Sequence, residues 1–379
     1  GLDEIVVVGY GTIKKRELTG AISSVKSKDL MKTQSSDFAS AIQGRMAGVS
    51  VRQGNAAPGE NATITIRGIT SFQDGGSGPL YVVDGVTYIE NPTPQDLAVA
   101  HGALVRAAFE FNKSVFEAMP NLKVIARTGV GTELVDLEEA DARNIPVVVT
   151  PGSNTVAVAE GVIAQILHLS KRLGPLTKLV ATGKWDQRTK YPVGDLANQT
   201  LGIIGYGRIG KKVADIASAF DLKILAFDPV ADVPISNKSN SIKELLATSD
   251  FITLHIPLTP ETNGLIGKSE FEAMKSGAIL INCSRGALVD LDSALESLKN
   301  GKLGGLGLDV FDPEPPQHHP MFDHENVVLT PHVMGLSNQA TIATYVMAAE
   351  GARDVLTGVK PKAIANLKNN QHKQDRSTK

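Results

Sequence analysis

Leu201-Gly202-Ile203-Ile204-Gly205-Tyr206-Gly207-Arg208-Ile209-Gly210 is an apolar strand running straight into a glycine loop, and the elements on its carboxyl side decide the fold. Ile209, Val213, Ile216, Ala217 and Phe220 recur at helical spacing, so the loop opens an amphipathic helix. A second strand, Lys223-Ile224-Leu225-Ala226-Phe227, then ends in Asp228. Each part has a physical reason in a dinucleotide site. Gly205 makes a tight turn, Gly207 lets the backbone approach a pyrophosphate, and Gly210 lets helix and strand pack closely. Arg208 and Ile209 begin the helix, whose free N–H groups and positive dipole end face the phosphates. Asp228, 18 residues past Gly210, suits the adenosine ribose hydroxyls and repels a 2′-phosphate, and Pro229-Val230-Ala231 brings no arginine. The cofactor implied is NAD.

Working downstream, three apolar stretches each deliver a polar residue at their end. Ala278-Ile279-Leu280-Ile281-Asn282-Cys283-Ser284 delivers Arg285, Gly305-Leu306-Gly307-Leu308 delivers Asp309 and then Glu314, and Val327-Val328-Leu329-Thr330-Pro331 delivers His332. Ligands of open parallel sheets bind beyond the carboxyl ends of the strands, so these residues are candidates for one crevice. Hydride removal from a carbinol carbon needs a base for the hydroxyl proton, and a histidine serves near neutral pH. His332 is the candidate for that base, Glu314 the candidate to orient its ring, and Arg285, forked and fixed in charge, suits a carboxylate and a carbonyl oxygen. Other polar residues fit duller roles. His318-His319 has no acid or cysteine cluster beside it and reads as a solvated loop, so no metal is expected. Cys283 lies in an apolar strand with no partner cysteine and reads as packing.

The order of motifs resembles the D-2-hydroxyacid dehydrogenases over about residues 95–365, in the form of the D-3-phosphoglycerate dehydrogenases. It runs from the glycine loop and Asp228 through His255-Ile256-Pro257-Leu258-Thr259-Pro260-Glu261-Thr262, Asn282-Cys283-Ser284-Arg285-Gly286 and Asp309-Val310-Phe311 with Glu314-Pro315, to Thr330-Pro331-His332. The resemblance implies hydride transfer between NAD and a D-2-hydroxy acid. It also implies that Asp309 holds the nicotinamide carboxamide, and that Thr155, Thr259, Pro257, His255 and Cys283 lie near the cofactor. His255 shapes the pocket rather than moving a proton. Arg106 and the backbone of Val130 and Gly131 would meet the substrate. The fold implied is α/β, a Rossmann domain inserted in a smaller flavodoxin-like substrate domain, with pairing as a homodimer through the cofactor domain.

Before residue 90 the texture changes to short β-branched strands and turn clusters, with Asn91-Pro92-Thr93-Pro94 as an extended linker. Leu2-Asp3-Glu4-Ile5-Val6-Val7-Val8-Gly9-Tyr10-Gly11-Thr12, Ala41-Ile42-Gln43-Gly44-Arg45 and Pro79-Leu80-Tyr81-Val82-Val83-Asp84-Gly85 resemble the α+β plug domain of SusC-like TonB-dependent receptors. Such receptors need a barrel of alternating segments of about ten residues, and none follows residue 100. Gly9-Tyr10-Gly11 imitates a nucleotide loop but has Lys14 at the third glycine position. The plug-like segment stands where the dehydrogenases open with a strand–helix–strand unit, so the substrate domain is expected to be truncated, with an unpaired edge. Ala107-Ala108 after Arg106 weakens the case for a phosphorylated substrate, and Met334 stands where the family has a small residue.

The expected domains are a plug-like segment over 1–90, the substrate domain over 91–152 and 334–366, the NAD-binding domain over 153–333, and a disordered polar tail over 367–379. The remaining composition is unremarkable for its class: 42% apolar, 21% charged and a formal net charge of −2, which gives no electrostatic case for nucleic acid or a membrane. One cysteine allows no internal disulfide, and no apolar run approaches the roughly 18 residues of a membrane helix, so a cytoplasmic protein is expected. Two other readings stay open: an NAD-binding protein without turnover, and a receptor plug or interaction module.

Overall fold

The computed structural model describes residues 97–106 and 110–367 in full, and before them the backbone of six strands and of the helix Pro94–Val99. The rest of the plug-like segment, Ala107-Ala108 and the tail from residue 368 lie outside the described residues. The chain divides into two compact units, Gly1–Ser153 with Thr341–Lys379, and Asn154–Ala340.

In the first unit the early strands form three antiparallel pairs: β1 (Ile5–Val8) with β2 (Gly11–Lys14), β3 (Val49–Arg52) with β4 (Thr63–Ile66), and β5 (Tyr81–Val83) with β6 (Val86–Tyr88). A parallel sheet comes next, β7 (Gly102–Val105), β8 (Val124–Arg127) and β9 (Val147–Val148), in that order. Its core is aromatic: Phe111 and Phe116 meet edge to face at 4.9 Å, and both are buried with Ile125, Val135 and Val147. The helix Asn338–Leu356 lays Ala348 and Ala352 on Val124 and Val148, small side chains that let helix and sheet approach closely. Among the described residues β7 pairs only with β8.

The second unit is a six-stranded parallel sheet of β10 (Thr200–Ile204), β11 (Lys223–Phe227), β12 (Phe251–Leu254), β13 (Ala278–Asn282), β14 (Leu303–Leu308) and β15 (Val327–Leu329). The spatial order is β11-β10-β12-β13-β14-β15. Lys238 adds a single parallel bridge to Ala226 on the outer side of β11, a third strand reduced to one pairing. The sequence of crossovers is therefore that of a Rossmann sheet, with its reversal between β10 and β12. Helices cover both faces, so β12 and β13 are buried along their whole length, their mostly apolar sequences broken only by the buried Thr253 and Asn282. The helix Arg208–Ser218 buries Gly210, Val213, Ala214 and Ala217 and ends before Phe220, which is exposed rather than part of the expected apolar face. The helix Thr155–Ser170 buries Val158, Val162, Ile166 and Leu169 as their spacing predicts. No described helix is long and apolar enough to cross a membrane.

Candidate active site

Because all six strands run parallel, their carboxyl ends lie along one edge, and every candidate residue of this unit except Thr155 stands past one of those ends. Thr155 opens its own helix beside Asn154, whose amide nitrogen lies close to Gly335. At the reversal between β10 and β12, Gly205 has φ +96°, and a side chain there would overlap the carbonyl of His255. A Cβ on Gly210 would likewise strike the Gly205 carbonyl, so strand, loop and helix close on one another with no room to spare. Gly207 caps the helix Arg208–Ser218 without a side-chain bond, and a Cβ there would meet no protein atom. The result is a bare helix N-terminus with an open approach, which suits an anionic pyrophosphate.

Asp228 is held by three backbone donors: the N–H of Tyr206 at 2.7 Å, of Val230 at 2.8 Å and of Ala231 at 2.7 Å. Burial works to raise its pKa, and these bonds, helped by Lys211, outweigh it and hold the carboxylate below its ordinary value. An ionised carboxylate has about four acceptor sites, so a ribose hydroxyl still finds one. His255 donates or accepts at Nε2 with Thr253 Oγ1 at 3.0 Å, while its Nδ1 is buried with no partner. Burial drives its pKa down to about 3, so the ring is neutral and does not exchange protons near pH 7. Thr259 sits in a tight turn, its N–H donating to Thr262 Oγ1 at 2.8 Å, and Pro257 fixes the exit from β12 with its carbonyl accepting from the same hydroxyl at 2.8 Å.

Asn282, fully buried at the end of β13, accepts from the Ser284 N–H at 3.0 Å and donates to the Arg285 carbonyl at 2.8 Å. That staple shapes the turn bearing Arg285, whose guanidinium donates to the Ser284 carbonyl at 2.7 Å. Gly286 must be a glycine, because a Cβ would overlap the Phe311 carbonyl. This close approach sets the Arg285 turn beside the chain segment carrying Glu314. The Phe311 N–H donates to Glu314 Oε1 at 3.0 Å, and Glu314 Oε2 pairs with His332 Nδ1 at 2.7 Å. The imidazole is thereby oriented with Nε2 left for another group. Cys283 is half-buried, and burial, reinforced by the charge of Asp309, pushes its thiol well above the usual range. It is therefore a packing residue and no nucleophile.

Asp309 is 2% exposed, and its pKa is raised by burial against the bonds it accepts. Those bonds come from Thr330 Oγ1 at 2.6 Å, the Val333 N–H at 2.9 Å and the Met334 N–H at 3.1 Å. They bracket His332, whose backbone is left-handed at φ +53°. Met334 is tolerated in place of a small residue because Gly161 offers it a bare stretch of helix. His318 pairs with Asp323 at 3.1 Å and His319 with Asp292 at 3.2 Å, and the described residues hold no cluster fit for a metal ion. In the first unit, Arg106 is exposed just past β7, and Val130 and Gly131 come after the end of β8 and Gly129.

Thr330 stands in the Thr-Pro-His motif but has no role in the sequence reading, and Gln165 is missing from it altogether. Its signal is present in the sequence: a glutamine set among Val162, Ile163, Ile166 and Leu169, where an apolar residue is expected.

Fold and site together define a Rossmann-class coenzyme unit whose sheet edge carries a carboxylate-supported histidine. The family model for the D-isomer specific 2-hydroxyacid dehydrogenase NAD binding domain matches residues 163–334, and that for the TonB-dependent Receptor Plug Domain matches residues 14–104. D-3-phosphoglycerate dehydrogenase of Methanocaldococcus jannaschii is 36% identical over 271 residues, which are 70% of this chain and 52% of that protein. The chain spans about half the length of the curated relatives it matches. Among solved structures, the TT0316 protein from Thermus thermophilus is 37% identical with TM-score 0.66, covering 72% of this chain and 88% of that one. D-lactate dehydrogenase from Aquifex aeolicus, complexed with NAD and lactic acid, is 30% identical with TM-score 0.64, covering 71% and 86%. The chain belongs to the D-isomer specific 2-hydroxyacid dehydrogenase family, and it carries that family's NAD-binding domain behind a plug-like segment.

Proposed function

We propose that this chain is an NAD-dependent oxidoreductase that transfers a hydride between NAD(H) and a D-2-hydroxy acid or its 2-keto acid. The observation that carries the reading is the 2.7 Å pair between His332 Nδ1 and Glu314 Oε2, with Glu314 itself anchored on the Phe311 N–H. Bound at the glycine loop and Asp228, NAD supplies the two-electron exchange at the substrate carbon. His332 Nε2 takes the hydroxyl proton on oxidation and returns it to the carbonyl oxygen on reduction. Arg285, forked and permanently charged, binds the substrate carboxylate and stabilises charge on that oxygen. Asp309 keeps one acceptor site free for the nicotinamide carboxamide. The assignments of Arg106, Val130 and Gly131 to the substrate, and of Thr155, Pro257, Thr259, Cys283 and His255 to the cofactor surround, rest on the family resemblance.

Pairing into a homodimer belongs to the same proposal. Leu173, Val180, Trp185 and Val193 are exposed on one connected stretch of the coenzyme unit, which favours a covering partner. Residence in the cytoplasm is proposed on the single cysteine.

One observation favours a rival, an NAD-binding protein without turnover: β7 pairs only with β8 among the described residues of the substrate unit. NADH oxidation with a panel of short 2-keto acids, by wild type and His332→Ala, separates the two. Turnover that falls by about a hundredfold or more in the variant supports the proposal. NADH binding without turnover in the wild type overturns it.

A further inference from the structure

His332 occupies a left-handed backbone conformation that a residue with a Cβ adopts only at a cost, so something must hold it there. The holder is Asp309, which accepts from Thr330 on one side of His332 and from the N–H groups of Val333 and Met334 on the other. Asp309 does not stand alone. Thr330 Oγ1 donates to Asp309, so its single hydroxyl proton is committed there. The remaining partner of Thr330 Oγ1 must then be a donor, and it is the Gln165 side-chain amide, Nε2 to Oγ1 at 3.3 Å. Gln165 is 2% exposed within the apolar face of its helix, and its Oε1 in turn accepts from the Cys283 thiol at 3.9 Å. The raised pKa of Cys283 keeps that thiol protonated, so every donor in the chain points toward Asp309.

Resting on the proposed dehydrogenase function, we infer that Gln165 and Thr330 are positioning residues. Through a one-directional hydrogen-bond chain, they fix the Asp309 carboxylate, which in turn sets the His332 turn for proton transfer. A glutamine buried in an apolar helix face costs stability unless its polar atoms are used, and here both ends are used for this chain. Neither residue touches the reacting atoms. Thr330→Val removes the hydroxyl at constant volume, and Thr330→Ser keeps it.

The test measures kcat and the 15N imidazole resonances of His332 in both variants. Thr330→Val should lower kcat about tenfold, the effect of one charge-assisted bond, and shift the His332 resonances. Thr330→Ser should restore both. Should Thr330→Val not fold, Gln165→Met carries the test, with a kcat loss of about threefold and the same resonance shift in the same direction. Equal behaviour of Val and Ser variants, or an unmoved His332 resonance, overturns the inference. The imidazole resonances need no turnover. A wild type that does not turn over but shows the resonance shift on Thr330→Val therefore defeats the dehydrogenase reading and leaves the positioning chain standing.

Discussion

Replacing Glu314 by glutamine changes one atom type and should cripple proton transfer while sparing cofactor binding. In the native site Oε1 accepts from the Phe311 N–H at 3.0 Å and Oε2 accepts from His332 Nδ1–H at 2.7 Å. A glutamine has only one acceptor oxygen, and the Phe311 N–H already demands it. The NH2 group then faces Nδ1, which must give up its proton and present a lone pair. That leaves the hydrogen on Nε2 in the neutral ring, the wrong tautomer to take a hydroxyl proton. In the reduction direction the imidazolium carries N–H on both nitrogens, and a donor faces a donor. A bond to a charged group contributes about 1.5–3 kcal/mol. The two side chains are 48% and 37% exposed, so solvent screening places the effect at the low end. About 1.4 kcal/mol corresponds to a tenfold loss of kcat. The assay is steady-state NADH oxidation with a 2-keto acid at saturating cofactor, alongside NADH titration of the same variant. An unchanged kcat in Glu314→Gln, or a fall in NADH affinity matching the fall in kcat, refutes the assignment of Glu314 as the orienting group.

Three further outcomes come from the same geometry. His255 is held near a pKa of about 3, against a usual value near 6.5 when unfolded, so the unfolded chain takes up a proton that the folded one refuses. Its contribution to stability is complete above pH about 6.5 and is lost as pH falls toward 3; urea midpoints between pH 7 and 5 should drop less in His255→Asn than in wild type. Gly286→Ala drives a Cβ into the Phe311 carbonyl, costing about 1–3 kcal/mol of overpacking and moving the N–H that anchors Glu314. Its melting temperature should fall by a few degrees and its kcat by more than that loss explains; a variant with wild-type kcat sinks the close-approach argument. Cys283, its thiol pushed up by burial and by Asp309, should resist iodoacetamide in the native protein at pH 8, and mass analysis showing rapid alkylation would contradict its packing role.

Much of the coenzyme unit is legible in the sequence because parallel strands leave two marks: mostly apolar runs, and a functional residue at each carboxyl end. Gly205, Asp228, Arg285 and His332 all emerge from those marks, and each stands past the end of its strand in the structure. The third strand is not legible, because Lys238 contributes a single bridge and no apolar run announces it. Nor is the support beneath His332. Thr330 and Gln165 lie 165 residues apart, and a hydrogen bond between distant segments leaves no periodic trace. The left-handed backbone of His332 also escapes sequence reading, since residues other than glycine are uncommon there. Phe220 departs from its expected face for a simpler reason: its spacing continues the helix, but the chain turns at Ala219 before reaching it.

The coenzyme unit is one unbroken stretch, Asn154–Ala340, and every pairing of its sheet is made within that stretch. Its sheet register therefore depends on nothing encoded upstream. A recombination junction near residue 95 severs no rung of its ladder, so the segment ahead of it is free to be exchanged without rewriting the coenzyme half. A plug-like sequence beside a Rossmann sheet is then a difference in neighbours, and inheritance can shuffle such neighbours while the chemistry-bearing module passes on intact.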